Sequence, residues 1–166
     1  MQRRALLSLA ATAAALSLSG CGFELRKAPN FAFTTLYSSI NSQLGVELRR
    51  SLQSTRKEEV ISDARRIAEA QVILEVLGDQ REKVVLSLNA AGQVREFQLR
   101  LRFRFRLRTL EGKELIPDTE ILQQRDISFN ESAVLAKEAE ETLLYRDMQS
   151  DVIQQIMRRL AAVTEL

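Results

Sequence analysis

Twelve consecutive residues of this chain alternate between apolar and polar side chains without interruption. Positions 97–108 read Phe-Gln-Leu-Arg-Leu-Arg-Phe-Arg-Phe-Arg-Leu-Arg. Strict alternation with period two places all the apolar side chains on one face of a β-strand, whereas a helix would scatter them around its axis. The stretch therefore predicts a strand that buries six large apolar side chains and presents five arginines on its other face.

The five arginines have two possible roles. Neighbouring guanidinium groups on one face of a strand lie about 7 Å apart, because each residue advances the strand by roughly 3.4 Å. Such a row is either a polar sheet face that neighbouring acids neutralise, or a surface that binds a phosphorylated ligand. The sequence alone leaves both interpretations open.

The first twenty residues have the pattern of a secretory signal peptide. A basic start is followed by the apolar run 5–18, and small residues then lead to Cys21. An apolar run of this length is too short to span a bilayer. The pattern resembles a bacterial lipobox, in which the cysteine becomes the first mature residue and carries acyl chains such as palmitate. We therefore predict a signal peptide over 1–20, lipidation of Cys21, a tether over 21–30 and a single domain over 31–166.

Cysteine usage and net charge further narrow the class of protein that this chain can be. Cys21 is the single cysteine, so lipidation would leave no thiol for a disulfide. Gly22 follows it in place of the aspartate that favours inner-membrane retention, which resembles an outer-membrane address. The chain has 24 basic and 22 acidic residues, and two of the basic ones lie in the signal, so the mature chain is neutral. A generic polyanion-binding protein is therefore excluded.

The sequence offers no catalytic or cofactor-binding set. The chain has no histidine, and no glycine-rich phosphate loop or nucleophile elbow is present. We therefore expect no enzyme activity, no metal site and no cofactor apart from the lipid on Cys21. We expect no nucleic-acid partner, because the arginine strand lacks the exposed aromatic residues of a stacking platform.

The remaining periodicities predict an α/β (α+β) two-layer sandwich with the element order β-α-β-β-β-α. A four-stranded mixed sheet would carry two helices on one face, and its other face would lack a layer of its own. The predicted strands are 31–37, a buried run beginning at 71 and extended by 84–88, the arginine strand, and 116–129. The predicted helices are 45–55 and about 30 residues from Asn130, with an apolar stripe that includes Leu135, Leu143 and Met148.

The hairpin after the arginine strand has one register that keeps both faces consistent. A turn centred on Gly112 places Arg106 opposite Asp118, Arg104 opposite Glu120 and Phe103 opposite Ile121. A slip by one residue would set arginines against the apolar face. The same register leaves Arg100, Arg102 and Arg108 without a directly opposite acid on the returning strand.

Three stretches together resemble the LptE family of lipopolysaccharide-assembly lipoproteins. They are 21–26, reading Cys-Gly-Phe-Glu-Leu-Arg; 92–99, reading Gly-Gln-Val-Arg-Glu-Phe-Gln-Leu; and 135–138, reading Leu-Ala-Lys-Glu. The resemblance runs in order along nearly the whole mature chain. It implies a lipid-anchored protein on the periplasmic side of the outer membrane. It also implies a one-to-one heterodimer with the β-barrel LptD, in which the lipoprotein plugs the barrel, supports its folding and helps to insert lipopolysaccharide into the outer leaflet.

The resemblance also implies lipopolysaccharide-binding residues. The lysine of the Leu-Ala-Lys stretch is Lys137, and the alternative is that it only pairs with Glu141 one helical turn away. The family's basic residue before the third strand is missing here, where the turn reads Ala-Ala-Gly. Candidates that could replace it are Lys83, Arg95, Arg100 and Arg102. The alternative function is a structural or inhibitory lipoprotein that binds another envelope protein and never contacts lipopolysaccharide.

Overall fold

The computed structural model describes residues 29–54 and 58–166. The predicted signal peptide, the lipidation site at Cys21 and most of the tether lie outside the described residues. The strands are β1 (Thr35–Tyr37), β2 (Glu59–Ile61), β3 (Val72–Leu88), β4 (Val94–Thr109) and β5 (Glu114–Ser128), and the helices are α1 (Gln43–Gln53) and α2 (Val134–Ala161). Two short 3₁₀ helices, Ala64–Glu69 and Glu131–Ala133, precede β3 and α2.

The five strands form one mixed sheet in the order β2-β1-β3-β4-β5. β1 runs parallel to both β2 and β3, and β3, β4 and β5 form antiparallel pairs. The mixed α+β class is confirmed, but the prediction of four strands and the order β-α-β-β-β-α is wrong. The additional strand is β2, whose three residues are too few to show a period in the sequence.

Helix α1 connects β1 to β2 and packs on the sheet through leucines spaced four residues apart. Ser42 caps its first turn, because the Ser42 side chain accepts a hydrogen bond from the backbone N–H of Gly45 at 3.3 Å. Leu44, Leu48 and Leu52 are buried. A Cβ atom at Gly45 would lie 2.1 Å from Cγ2 of Ile40, so glycine is required for this close approach of the helix to the preceding loop.

The predicted two-faced character of the arginine strand is confirmed in β4. Its odd-numbered residues from Leu99 to Leu107 are fully buried, in one hydrophobic core with the buried faces of α1 and α2. Its even-numbered residues from Arg100 to Arg108 are half-buried or exposed. Both helices therefore cover the apolar face of the sheet, which is the predicted two-layer arrangement.

Helix α2 is buried mainly in its second half. The predicted apolar stripe is correct from Met148 onward, where Val152, Ile156 and Leu160 are also fully buried. It is wrong in the first half of the helix, where Leu135 is 82% exposed and Leu143 is 56% exposed. The reason lies in the opposing strand, because β3 presents Arg81 and Lys83 toward this part of the helix in place of apolar side chains.

Candidate functional site

The row of arginines on β4 is matched by a row of carboxylates on the two neighbouring strands. Glu75 on β3 binds both Arg106 and Arg108, and on β5 Asp118 binds Arg104 and Glu120 binds Arg102. Arg100 lies 4.0 Å from Glu82 and donates to Gln98 at 2.8 Å. We call this surface the arginine–carboxylate face; it is the face of the sheet that carries no helix.

The register between β4 and β5 is partly as predicted. Arg104 lies opposite Glu120, and Phe103 lies opposite Ile121. A shift after Phe105 then moves the register, so that Arg108 lies opposite Glu114. The predicted pair of Arg106 with Asp118 is wrong, because Asp118 binds Arg104 diagonally and Arg106 turns to Glu75.

The ion pairs on this face stabilise the charged forms of their members. The Arg108 guanidinium, followed by that of Arg106, lowers the pKa of the Glu75 carboxyl below its usual range. The Asp118 carboxylate raises the pKa of Arg104. Since each positive charge here already has an acidic neighbour, the arginine–carboxylate face has little uncompensated charge to offer an anion.

A second polar surface lies on the opposite, helix-covered side of the sheet. Here β3 and the first half of α2 enclose an open cleft of about 430 Å³. Residues of β3 that lie opposite buried residues of β4 point into this layer, namely Arg81 opposite Leu101 and Lys83 opposite Leu99. The cleft is lined by Gln43, Arg81, Lys83, Glu138, Glu141, Thr142, Tyr145, Arg146 and Gln149.

A buried glutamine joins three elements at the floor of this cleft. Gln149 is only 1% exposed, accepts a hydrogen bond from Arg81 at 2.7 Å and donates to Glu47 of α1 at 3.1 Å. The Arg81 guanidinium also lies 5.3 Å from the ring centroid of Tyr145. These contacts hold Arg81 in place, so the cleft has a fixed cationic wall.

The two candidate lysines lie next to each other at a smaller hollow beside the cleft. Lys83 and Lys137 both line it, together with Phe97 and Phe129, and its volume is about 60 Å³. The Lys83 ammonium lies 4.4 Å from the ring centroid of Phe97 and 2.6 Å from Glu141. Lys137 binds Glu140 at 2.8 Å and Ser128 at 2.9 Å, so the alternative pairing of Lys137 with Glu141 is not formed.

The structure therefore divides the five candidate binding residues. Lys83 and Lys137 share the helix-covered side, and Arg100 and Arg102 lie on the arginine–carboxylate face behind the sheet. Arg95 is exposed near the start of β4 and forms no ion pair within the described part of the chain. Sequence reasoning missed Arg81 and Arg146 in the cleft. The alternation Arg81-Glu82-Lys83 could have identified Arg81, because it places both cations on the same face of a strand.

The described residues contain neither a metal-binding cluster nor a membrane-spanning helix. Over 29–54 and 58–166, no group of three or more acidic, cysteine or histidine residues has the arrangement that could hold a metal ion. Within the same ranges, no helix is both long and apolar enough to cross a membrane.

A comparison with protein families finds one match that covers most of the chain. The family model is described as LptE, lipopolysaccharide-assembly, and it matches residues 28–160. The match spans every strand and nearly all of both helices.

Three solved structures are similar to this fold. The solution NMR structure of an uncharacterized lipoprotein B from Nitrosomonas europaea is 36% identical, with a TM-score of 0.71 over 86% of this chain and 92% of that chain. The crystal structure of rare lipoprotein B from Shewanella oneidensis is 22% identical, with a TM-score of 0.60 over 78% of this chain and 92% of that one. A minor lipoprotein from Acinetobacter baumannii is 19% identical, with a TM-score of 0.59 over 81% and 93%.

Proposed function

Because this chain belongs to the LptE family of lipopolysaccharide-assembly proteins, we propose that it is an outer-membrane lipoprotein that plugs an LptD-type β-barrel. It forms a one-to-one complex with the barrel, supports its folding and assists the insertion of lipopolysaccharide into the outer leaflet. The observation that carries the proposal is the family match over residues 28–160. The role is that of a binding partner and involves no chemical step.

Membrane attachment follows from the N-terminal sequence. The lipobox-like pattern ending at Cys21 supports acylation there, and Gly22 supports an outer-membrane destination. Several acyl chains on one residue anchor a protein tightly, because each buried CH₂ contributes about 0.8 kcal/mol. The folded domain then lies at the periplasmic side of the membrane, within reach of a barrel.

The arginine–carboxylate face suits the interior of a barrel. Its arginines are paired with acids across three strands, so it is polar and close to neutral. A polar barrel lumen can contact such a face without burying an unpaired charge.

The cationic residues of the helix-covered side suit a phosphorylated glycolipid. Lys83 and Lys137 line a small hollow that is formed in part by the rings of Phe97 and Phe129. Ammonium groups bind phosphate oxygens through charge-assisted hydrogen bonds, and aromatic rings accept apolar parts of a lipid. We propose that lipopolysaccharide contacts this side of the protein first, with Arg95, Arg100 and Arg102 as secondary candidates.

Affinity purification from solubilised membranes tests the proposed complex. A C-terminally tagged full chain should elute from outer membranes with one β-barrel protein in equal molar amount. Depletion of the chain should lower the amount of correctly assembled barrel and of surface lipopolysaccharide. Elution of the lipoprotein alone, or with a soluble periplasmic protein, would support the alternative role without lipopolysaccharide. If mass spectrometry shows that a Cys21→Ser variant is still acylated normally, the proposed anchor is wrong.

A further inference from the structure

Strand β3 has one edge that is almost entirely free. β1 pairs only with Val72 and Ile73 at its beginning, while β4 pairs along the whole opposite edge as far as Leu88. Beyond Ile73, no strand among residues 29–54 and 58–166 hydrogen-bonds to the outer edge of β3. A row of backbone donors and acceptors therefore faces outward along most of this strand.

The register identifies the residues whose backbone groups face outward. The Arg95 carbonyl accepts a hydrogen bond from the Phe129 N–H at 2.7 Å, so Arg95 directs its backbone groups toward β5. Since backbone direction alternates along a strand, the odd-numbered residues that follow in β4 also face β5. The β3 residues opposite them face away from β4, and they are Asp79, Arg81, Lys83 and Val85.

Over residues 78–85 the free edge is regular and has no proline, although irregularities border it at both ends and Asp79, Arg81 and Lys83 are charged. Proteins blunt exposed edges with proline, bulges or outward charges, and the other edge of this sheet carries Pro117 in β5. Residues 78–85 of β3 contain no proline and lie in unbroken register between two irregularities. Arg81 is bound by Gln149 and Lys83 by Glu141, so both cations lie on the helix-covered side of the sheet. Val85 remains 48% exposed.

The cleft lies beside the same edge and would receive side chains from an added strand. Arg81 and Lys83 belong to both the free edge and the cleft wall. The cleft has three cations and two carboxylates, and Arg146 forms no ion pair with any described residue. A strand added to β3 would place alternate side chains over this cleft, where an acidic one would meet complementary charge.

We propose that an extended segment of the barrel partner pairs with residues 78–85 of β3 as an additional strand of the sheet. One acidic side chain of that segment enters the cleft beside Arg81 and Arg146. The inference rests on the proposed function, because the segment belongs to the barrel, and it names the surface by which the barrel is held.

A proline substitution tests the edge through the backbone alone. Asp79→Pro removes one outward N–H, and the preceding Gly78 has no Cβ to clash with the proline ring. The matched control Asp79→Ala removes the carboxylate and keeps the N–H. A second control, Gln124→Pro, makes the same change at an outward position of the β5 edge. Circular dichroism and thermal melting establish that each variant folds.

The expected result is a selective loss for one variant. Co-purification of the barrel with tagged full-length chain should fall about tenfold for Asp79→Pro, since an unmade backbone hydrogen bond leaves a buried acceptor unsatisfied. Gln124→Pro should retain the wild-type yield, and Asp79→Ala should lose much less than Asp79→Pro because it keeps the backbone N–H. If all three variants recovered the barrel in equal yield, the assignment of the β3 edge as the binding surface would be wrong. The proposed complex would not be affected.

Amide hydrogen exchange gives a second readout that needs no substitution. In the purified complex, the outward amides of Asp79, Arg81, Lys83 and Val85 should exchange at least tenfold more slowly than in the free lipoprotein. The outward amides of β5, such as Gln124, should change little. Slowing at neither edge, or equal slowing at both, would overturn the proposal. A homodimer paired through β3 would assign the edge to a second copy, and a wild-type chain that purifies alone would overturn both this inference and the proposed function.

Discussion

Glu75 is the carboxylate that lies beside two arginines of β4, Arg106 and Arg108. It is the most buried of the acids that bind the arginine–carboxylate face, with 24% of its side chain exposed. Loss of this one charge would leave two guanidinium groups close together without their shared partner. Single acids therefore decide whether the arginines of β4 form a structural surface or an anion-binding surface.

We expect Glu75→Gln to lower the free energy of unfolding by about 1 kcal/mol at neutral pH, near the upper end for partly exposed ion pairs. The folded-state pKa of Glu75 is lowered, first by Arg108 and then by Arg106, from a reference value of 4.5. The stabilisation is therefore complete above the unfolded-state pKa and disappears as the pH falls through the lower folded-state value.

Denaturant melts of wild type and Glu75→Gln between pH 7 and pH 3 measure this dependence. The difference between the two proteins should be constant above about pH 5 and should shrink at lower pH. Gln80→Ala serves as a control on the same face, because Gln80 lies opposite Arg102 and is exposed; the change removes a neutral side chain and should give no pH dependence. A difference that grows as the pH falls would contradict the assignment.

At the scale of secondary-structure elements, β4 separates the core from the polar face. Phe103 is fully buried, so Phe103→Ala should lower the free energy of unfolding by about 3–5 kcal/mol, as truncations of buried phenylalanine do. The neighbouring Arg102 pairs with Glu120 at 2.7 Å on the other face, and Arg102→Ala should cost about 0.2–1 kcal/mol. Equal losses in denaturant melts would show that the two faces of β4 are misassigned.

The same elements show what the sequence could predict and what it could not. β4 was predictable because its period-two pattern is long and admits one register around Phe103 and Ile121. β2 was not, because three residues carry no pattern and are held by pairing with β1. The shift in β5 before Thr119 was equally hidden, and Asp118 binds Arg104 in place of Arg106.

The candidate site was predicted only in part for a similar reason. Identifying basic residues requires the sequence alone, but grouping them requires knowing which face of the sheet each one occupies. Lys83 lies opposite the buried Leu99, so it points toward α2. Arg100 and Arg102 point the other way. Only the pairing of β3 with β4, which no local pattern specifies, separates the two groups.

At the scale of the whole molecule, the sheet holds two kinds of positive charge on opposite sides. The arginines of the arginine–carboxylate face are bound by acids from both neighbouring strands. The lysines of the other side, Lys83 and Lys137, also have acidic partners, namely Glu141 and Glu140 in the first half of α2. Both sets of cations are thus ion-paired, and they differ in their surroundings. Lys83 and Lys137 lie in one hollow with Phe97 and Phe129, whereas no described aromatic residue lines the pocket beside Arg102 and Arg104.

This arrangement predicts which side binds lipopolysaccharide. The double variant Lys83→Gln with Lys137→Gln should bind immobilised lipopolysaccharide at least tenfold more weakly than wild type, because each lost charge-assisted hydrogen bond costs about 1.5–3 kcal/mol. The matched double variant Arg100→Gln with Arg102→Gln removes the same charge from the arginine–carboxylate face, whose pocket has no described aromatic lining, and should bind nearly as well as wild type. Binding of the wild type should weaken with added salt, since exposed charges are screened within about 8 Å at physiological ionic strength.

If both double variants fold normally and bind as the wild type does, neither cationic surface contacts lipopolysaccharide and the protein acts on its barrel alone. If only the arginine double variant loses binding, the arginine–carboxylate face is the surface that contacts the glycolipid.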